Sequence, residues 1–241
     1  MFSSWAMCLT VVMKLATPSN LSKSVDSTAP IINVINGNHD IGFHYAMTTS
    51  SKSRFDHSFN TSAAKLIQIN GINFVTINSV TMEGDYCHLC SRAVQQLRTI
   101  GHQLRDYTDR PVVLTHYPLY RRNETDCDNK GYDADSMPES DRLIPYRPKW
   151  DCLSANATRY ILDTLRPRLV VNGHTHYGCH RRHAAGSVDE WTVGAFNYRH
   201  ASSPSVLLAV VSPHLHKINK CLLASDLMFH AIDAIFSMDK V

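Results

Sequence analysis

The sequence has no stretch of the about 18–20 consecutive apolar residues that a membrane-crossing helix needs. The apolar stretch near its end, Leu222–Phe236, is interrupted by Asp226, His230 and Asp233. The one near its start, Trp5–Ala16, is broken by Thr10 and Lys14 and follows no basic segment. The expectation is therefore a chain with neither a membrane anchor nor a signal peptide of its own. No charge of one sign dominates: the net charge is +3 and the pI near 8.5, too mild to argue for nucleic acid as a partner. Internal repeats and low-complexity segments are missing too, which excludes solenoid and array architectures. Cysteines number seven, an odd count, and only Cys87-His88-Leu89-Cys90 forms a close pair. A second such pair is absent, which argues against a four-thiolate zinc site and leaves Cys87 and Cys90 as a local disulfide or two plain thiols. Cys127 and Cys152 flank a polar loop and are expected to staple it.

What is present reads as one α/β domain: 241 residues, 44% of them hydrophobic, can hold one good core. Residues 17–30 read as a loop before a first core strand at 31–36, and 52–65 as short helix and turn. Asn70-Gly71 between two apolar runs predicts a hairpin, because both residues tolerate the positive φ of a tight turn. Ala93, Val94, Leu97, Ile100 and Leu104 recur at helical spacing and predict a helix over 91–107. A second helix is expected over 154–165, with Ser154 as N-cap and Pro167 beyond its end. Strands are expected into His174 and over 190–196 and 205–212. The long polar stretch 121–150 has no period and is a candidate substrate-facing loop. Four sequons, at Asn20, Asn60, Asn123 and Asn156, compare with roughly two expected by chance and mark possible N-glycosylation in a secretory compartment.

The sharpest signal is three histidine-bearing turns, each after a short β-branched run: 31–36 into Gly37-Asn38-His39-Asp40, 111–115 into His116, and 169–172 into Gly173-His174-Thr175-His176. Sheets of this class hold their chemistry just beyond the carboxyl ends of the strands, so three such ends converging can build a metal site. Asn38 offers an amide oxygen to a metal while the adjacent His39 holds a proton. Asp40 is expected to accept a hydrogen bond from His39, and Gly37 to let the backbone reverse sharply. The plain alternative is an Asx-turn carrying a solvated histidine. His116 sits at a strand tip, where a lone histidine is also a common packing residue. Arg121 and Arg122 can face a phosphate or form a solvated pair. His174 and His176, two apart after a buried strand, project to one side, toward one metal or two neighbouring ones.

These motifs in this order resemble the calcineurin-like metallophosphoesterase superfamily, whose pattern runs D-x-H, GD, GNH(D/E), H, GHxH. The longer strings GNHDIGFHY at 37–45, GINFVTINSV at 71–80, the cysteine pair at 87 and 90, VLTHYPLYRR at 113–122 and LRPRLVVNGHTHYGC at 165–179 resemble its metallophosphoesterase 1 group. The resemblance covers roughly residues 30–215. It implies an αββα sandwich of mixed sheets flanked by helices, and a two-metal centre, with manganese expected and iron or zinc as substitutes, that activates water against phosphorus. It also implies that Asn38, His116 and His174 hold the second metal and His176 the first, with His39 assisting the leaving oxygen and Asp40 orienting it. For that group the reaction is removal of ethanolamine phosphate from the mannose core of GPI anchors, on GPI-anchored proteins or the glycolipid, by lumenal membrane proteins of the endoplasmic reticulum and Golgi. His44, Tyr45, Arg121 and Arg122 are the candidate substrate contacts.

Two motifs of the pattern, D-x-H and GD, are missing upstream of GNHD. Asp26 is the only carboxylate before position 37, and Gly84-Asp85 lies on the wrong side of GNHD to bridge two metals. The expected chain is thus a partial fold lacking its first βαβ part, with an apolar edge exposed beside the 31–36 strand. Its parts are a non-core segment 1–29, the phosphoesterase domain 30–215 and a tail 216–241. A fragment of a longer product explains these absences together, and the form as written is expected to be inactive. The alternatives are a natural short form that binds one metal without catalysis, and a general phosphoesterase of the same superfamily.

Overall fold

The computed structural model describes residues 9–13, 31–83, 85, 87–128, 134–183, 187–198 and 203–225. Its centre is a six-stranded mixed sheet. In chain order the strands are β3 (Ala64–Ile69), β4 (Ile72–Ile77), β5 (Val112–Thr115), β6 (Leu169–Asn172), β7 (Cys179–His183) and β8 (Val188–Thr192), arranged in space as β3-β4-β5-β6-β8-β7. The four inner strands run parallel, and β3 and β7 close the two edges antiparallel. The β3–β4 hairpin turns through Asn70 at φ 49° and Gly71 at φ 75°, the left-handed pair its sequence predicts.

Period-two alternation divides the side chains of the inner strands. Val75, Ile77, Val113 and Val170 face one side, against Ala93, Leu97 and Ile100 of α3 (His88–Gln103) and Ala157, Ile161 and Leu165 of α4 (Ala155–Leu165). Ile72, Phe74, Val112, Leu114 and Leu169 face the other, where Ile35 of β2 (Ile31–Ile35) meets them together with Val211 and Ile218. Those last two belong to a separate hairpin, β9 (Ser205–Val211) with β10 (His216–Leu222). The second of these helices ends where its sequence says: the Ser154 hydroxyl caps α4 by accepting from Ala157 N–H, and Arg166 closes it in the left-handed region before Pro167.

The helix expected over 91–107 begins three residues earlier, because Cys87 caps it, and tightens after Gln103 into a 3-10 turn at Leu104–Asp106. The strand expected over 190–196 is instead β8, and the helix within 52–65 is α2 (Thr49–Phe59), capped by Thr48. The strand beginning at 31 is not a bare edge: β1 (Leu9–Met13) pairs with it antiparallel, although Ile32 is still 59% exposed. β1 lies within the expected non-core segment and β10 within the expected tail. The whole of the loop 17–30, with Asn20 and Asp26, and the residues from 226 onward lie outside the described residues. Among the described residues, no helix is long and apolar enough to cross a membrane.

Candidate metal centre

The three histidine turns meet beyond the carboxyl ends of the parallel strands β5 and β6, the 37–40 turn arriving from β2 outside that sheet. His116 follows β5 directly and is buried. Gly173 begins the turn after β6, and its N–H donates to the His116 carbonyl, so the two turns are joined through the backbone. Asn38 opens α1 (Asn38–Ile41), a single helical turn following β2, and is buried as well. His116 Nε2 lies 3.0 Å from Asn38 Oδ1 and 3.1 Å from His174 Nδ1.

That junction has too few protons. His174 uses its Nε2–H on the Trp150 carbonyl, 2.6 Å away, which leaves Nδ1 as a lone pair facing His116 when the ring is neutral. One proton on His116 Nε2 would have to serve both neighbours, and the Asn38 amide nitrogen is itself buried without a partner. Burial, then the neighbouring His174, His39 and His176, pushes the His116 pKa well below its ordinary value. Burial also brings His174 down to about 4, against the raising effect of its bond to Trp150. Both shifts favour the neutral rings, whose Nε2 and Nδ1 face each other beside the Asn38 amide oxygen. Two nitrogens and an oxygen so arranged suit a divalent cation, and their spacing matches adjacent ligands held at about 2.1 Å and right angles. His174 and His176 also adopt φ of 78° and 68°, left-handed conformations that cost side-chain-bearing residues of order 1 kcal/mol or more and cluster at functional sites.

His176 and His39 line the same cleft, a space of about 260 Å³, with Asn38, His116 and His174. Four positions named from the sequence as metal ligands and one named as a proton carrier thus share one cavity. His39 is exposed on its wall. Asp40 does not hold it: the Asp40 carboxylate turns back 2.7 Å to the Gly37 N–H, capping its own helix, and acts on His39 only by charge. Burial raises the Asp40 pKa against the lowering effects of that N–H and of His39. Gly37 is at φ −100°, ordinary extended backbone, so the sharp reversal expected there is absent; the left-handed glycine is Gly42, at φ 99° after the helix.

The opposite wall comes from the 121–150 stretch and the residue after it: Met137, Tyr146, Arg147, Trp150 and Asp151. Trp150 stacks on Tyr45 at 4.9 Å and packs against Phe43 at 5.2 Å, while the Arg147 guanidinium covers the Trp150 ring at 5.0 Å. Arg147 and Asp151 pair at 3.0 Å. Burial raises the Asp151 pKa, but the bonds to Arg147 outweigh it and keep the carboxylate below its usual range. Asp151, Trp150 and Arg147 were not expected as site residues, and nothing but the length of the loop in the sequence points to them.

Arg121 is corrected by its burial. Its guanidinium bonds Glu124 at 2.5 Å and the Thr192 hydroxyl at 3.0 Å, so it has no free face for a substrate. Glu124 also takes the Tyr146 hydroxyl, while buried Glu190 accepts from Leu119 N–H, Asn172 and His183. This network anchors the loop beneath the cleft. Arg122 is exposed and does not line it. His44 is corrected likewise: its ring lies between the Val80 carbonyl at 2.9 Å and Asp85 at 2.6 Å, outside the cleft. Tyr45, 65% exposed, reaches the cleft only through its stacking on Trp150.

The expected Cys127–Cys152 staple is replaced by Cys127–Cys179, which ties the loop to β7; Cys152 is free and buried. Cys87 and Cys90 are joined to each other. Of the sequons, Asn60 and Asn156 are exposed, and Asn123 is partly buried, accepting from Thr125 N–H and hydroxyl. Asn20 lies outside the described residues.

No family model matches the chain. Curated proteins do. The gathering of Asn38, His116 and His174, taken with these relatives, supports assignment of the chain to the metallophosphoesterase family. The chain is 37% identical over 217 residues to Metallophosphoesterase 1 of Gallus gallus, covering 83% of this chain and 53% of that protein. It is 38% identical over 208 residues to Metallophosphoesterase 1 of Macaca fascicularis, covering 80% and 51%, and 35% identical over 218 residues to that of Xenopus laevis, covering 80% and 53%. The chain therefore spans about half the length of the curated relatives it matches. Among solved structures it is similar to "GAP50 the anchor in the inner membrane complex of Plasmodium" at a TM-score of 0.34 and 12% identity over 55% of this chain and 36% of that one, a likeness too loose to carry an argument.

Proposed function

We propose that this chain carries half of a phosphodiesterase centre: a divalent metal held by Asn38, His116 and His174, with His176 reaching toward a second position and His39 supplying a proton to the leaving oxygen. The observation that supports it is the convergence of Asn38 Oδ1, His116 Nε2 and His174 Nδ1 within 3.0–3.1 Å steps. Bound there, the metal supplies Lewis-acid neutralisation of charge developing on phosphate oxygens. The protein's part is to keep two rings neutral by burial, to hold His174 in place through Trp150, and to present exposed His39 across the cleft. Arg147 offers a guanidinium at the rim for the phosphate's remaining charge.

The proposed substrate is the one the resemblance implies, an ethanolamine phosphate ester on GPI-anchor mannose, handled by a manganese-dependent glycoprotein on the lumenal side of endoplasmic reticulum and Golgi membranes. The Tyr45–Trp150 stack suits a sugar ring, since aromatic faces pack against its apolar C–H edges. A single-ion reading has one observation in its favour: the described lining holds a single carboxylate, Asp151, and Arg147 already engages it. On that reading the chain binds one ion and turns over little by itself.

The test is manganese titration of the folded chain beside His116→Ala and His174→Ala, followed by assays on an activated phosphodiester and on an ethanolamine-phosphate-bearing mannose glycan. One ion bound and lost in both variants supports the centre. Absence of manganese binding by the folded wild-type chain overturns it. Turnover of the activated ester with none on the glycan identifies a general phosphoesterase instead.

A further inference from the structure

Outside the cleft, His44, Asp85, Cys87 and Cys90 bring their ligating atoms within 4.8 Å of one another. They come from three places: the turn after α1, the stretch before α3 and the first turn of α3. Cys90 is fully buried, and its sulfur lies 3.9 Å from His44 Nδ1. The Val80 carbonyl, 2.9 Å from Nδ1, fixes the ring with Nε2 toward Asp85. A backbone carbonyl holding one ring nitrogen while the other faces a ligand position is the usual support of a metal-binding histidine. As long as Cys87 and Cys90 are bonded to each other, neither sulfur is a thiolate and the set cannot close.

We propose that these four residues form a second metal centre, for one Zn²⁺, that assembles when the Cys87–Cys90 disulfide is reduced. A dithiol delivers two electrons and two protons to the S–S bond, itself becoming a disulfide, and two cysteine thiols form. Zn²⁺ then takes both sulfurs as thiolates, releasing two protons, with His44 Nε2 and an Asp85 oxygen completing a tetrahedral set. Two thiolates, an imidazole and a carboxylate select zinc over the harder ions that suit the cleft. The N–H groups that open α3, a 16-residue helix, favour negative sulfur at its first turn, where Cys90 N–H already donates to Cys87 Sγ at 3.0 Å. Tetrahedral zinc ligands lie about 3.3–3.8 Å apart, so the cluster closes with shifts of about an ångström. Asp85 also pairs with Lys149 at 3.2 Å, beside Trp150, and His44 sits between Phe43 and Tyr45, which pack on that ring. Zinc there clamps the rim of the cleft to α3.

Cobalt(II) reports the site directly, because its thiolate ligation gives a near-ultraviolet charge-transfer band and no cysteine lines the cleft. The experiment adds Co²⁺ to the folded full chain, oxidised and after phosphine reduction, with thiols counted in parallel. The expected result is a band of one-to-one stoichiometry only after reduction, displaced by one equivalent of Zn²⁺ and missing in Cys87→Ser/Cys90→Ser. Cys87 and Cys90 both found as free thiols, located by alkylation and peptide mapping to tell them from Cys127 and Cys179, without the band overturn the proposal, as does a Cys87–Cys90 disulfide that no reductant opens. Should the serine variant fail to fold, Asp85→Asn, at an exposed position, decides: Co²⁺ affinity falls at least tenfold if the set is right, and unchanged affinity overturns it.

Discussion

The two walls of the cleft are built by different means. The histidine wall consists of strand ends: His116 and His174 follow the buried neighbouring strands β5 and β6, and Asn38 follows β2, whose Ile35 packs on the same sheet, so their positions are inherited from core packing. The facing wall is irregular chain, Met137 to Asp151, held by a disulfide and by a buried ion network rather than by backbone pairing to the sheet. A site whose ligands are fixed by packing keeps its geometry when a loop loosens. A wall fixed by a few charged contacts depends on every one of them.

The strongest break of that comparison is Arg121→Met. It leaves Glu124 and Glu190 buried with a cationic partner removed, and one-sided loss of a buried ion pair costs about 3–5 kcal/mol. Burial alone would raise the Glu190 pKa, but the His183 bond and the Arg121 charge lower it, and the substitution removes the second of these. Urea unfolding should show the loss, and manganese affinity of the fraction still folded should change little.

The histidine wall has its own weakness, which is pH. His174 is held at about 4, below its ordinary 6.5, so between those values the unfolded chain takes up a proton that the folded one refuses. Stability of the metal-free chain therefore falls as pH drops through that window, by roughly 3 kcal/mol at most from this group. Thermal melts from pH 7 to 4 measure it. His174→Gln should flatten the dependence, and an unchanged slope in that variant would place the acid sensitivity elsewhere.

The contrast also explains what the sequence disclosed. A β-branched run followed by a histidine turn is a local pattern, so 37–40, 116 and 173–176 can be located without knowing the fold. The Ser154 cap and the Asn70-Gly71 turn are legible for the same reason. That β2 pairs with β1 outside the sheet of β5 and β6 is not legible from such a pattern. The partner of Cys127 is not, because disulfide pairing follows proximity in space, and Cys179 lies 52 residues on. Edge strands were missed as well. β7 reads Cys-His-Arg-Arg-His and β10 His-Lys-Ile-Asn-Lys-Cys-Leu, charged strands without the apolar alternation of a buried one, as edges that must not pair further tend to be. Asp40 shows a subtler limit. Its distance in sequence allows a bond to His39 or to the Gly37 N–H, and only the helical turn decides for the second.

Trp150→Ala separates backbone from side chain on the loop wall. The carbonyl that orients His174 survives the substitution, while the rings of Phe43 and Tyr45 lose their partner. Aromatic pairs of this kind contribute about 0.5–1.5 kcal/mol beyond burial. Melting should register a loss near 1 kcal/mol with manganese affinity changed less than threefold, and binding of a mannose-containing ligand should suffer more than either. A large drop in metal affinity would mean that the indole, and not its carbonyl, holds His174 in place.

The smallest stability effect should come from the Arg147–Asp151 pair, and it carries the finest discrimination. Arg147 is 68% exposed, so solvent screens the pair, and removing either partner should barely move the melting temperature. Their consequences for the cleft differ. Asp151 is its described carboxylate, and its charge already acts on His174. Asp151→Asn removes a negative charge from beside a bound cation and should weaken manganese binding several-fold, while Arg147→Ala removes a competing positive charge and should strengthen it slightly. Titrations of both variants at equal ionic strength give opposite signs if Asp151 serves the metal. The same sign in both would make the pair a tether for the loop, with no part in the electrostatics of the centre.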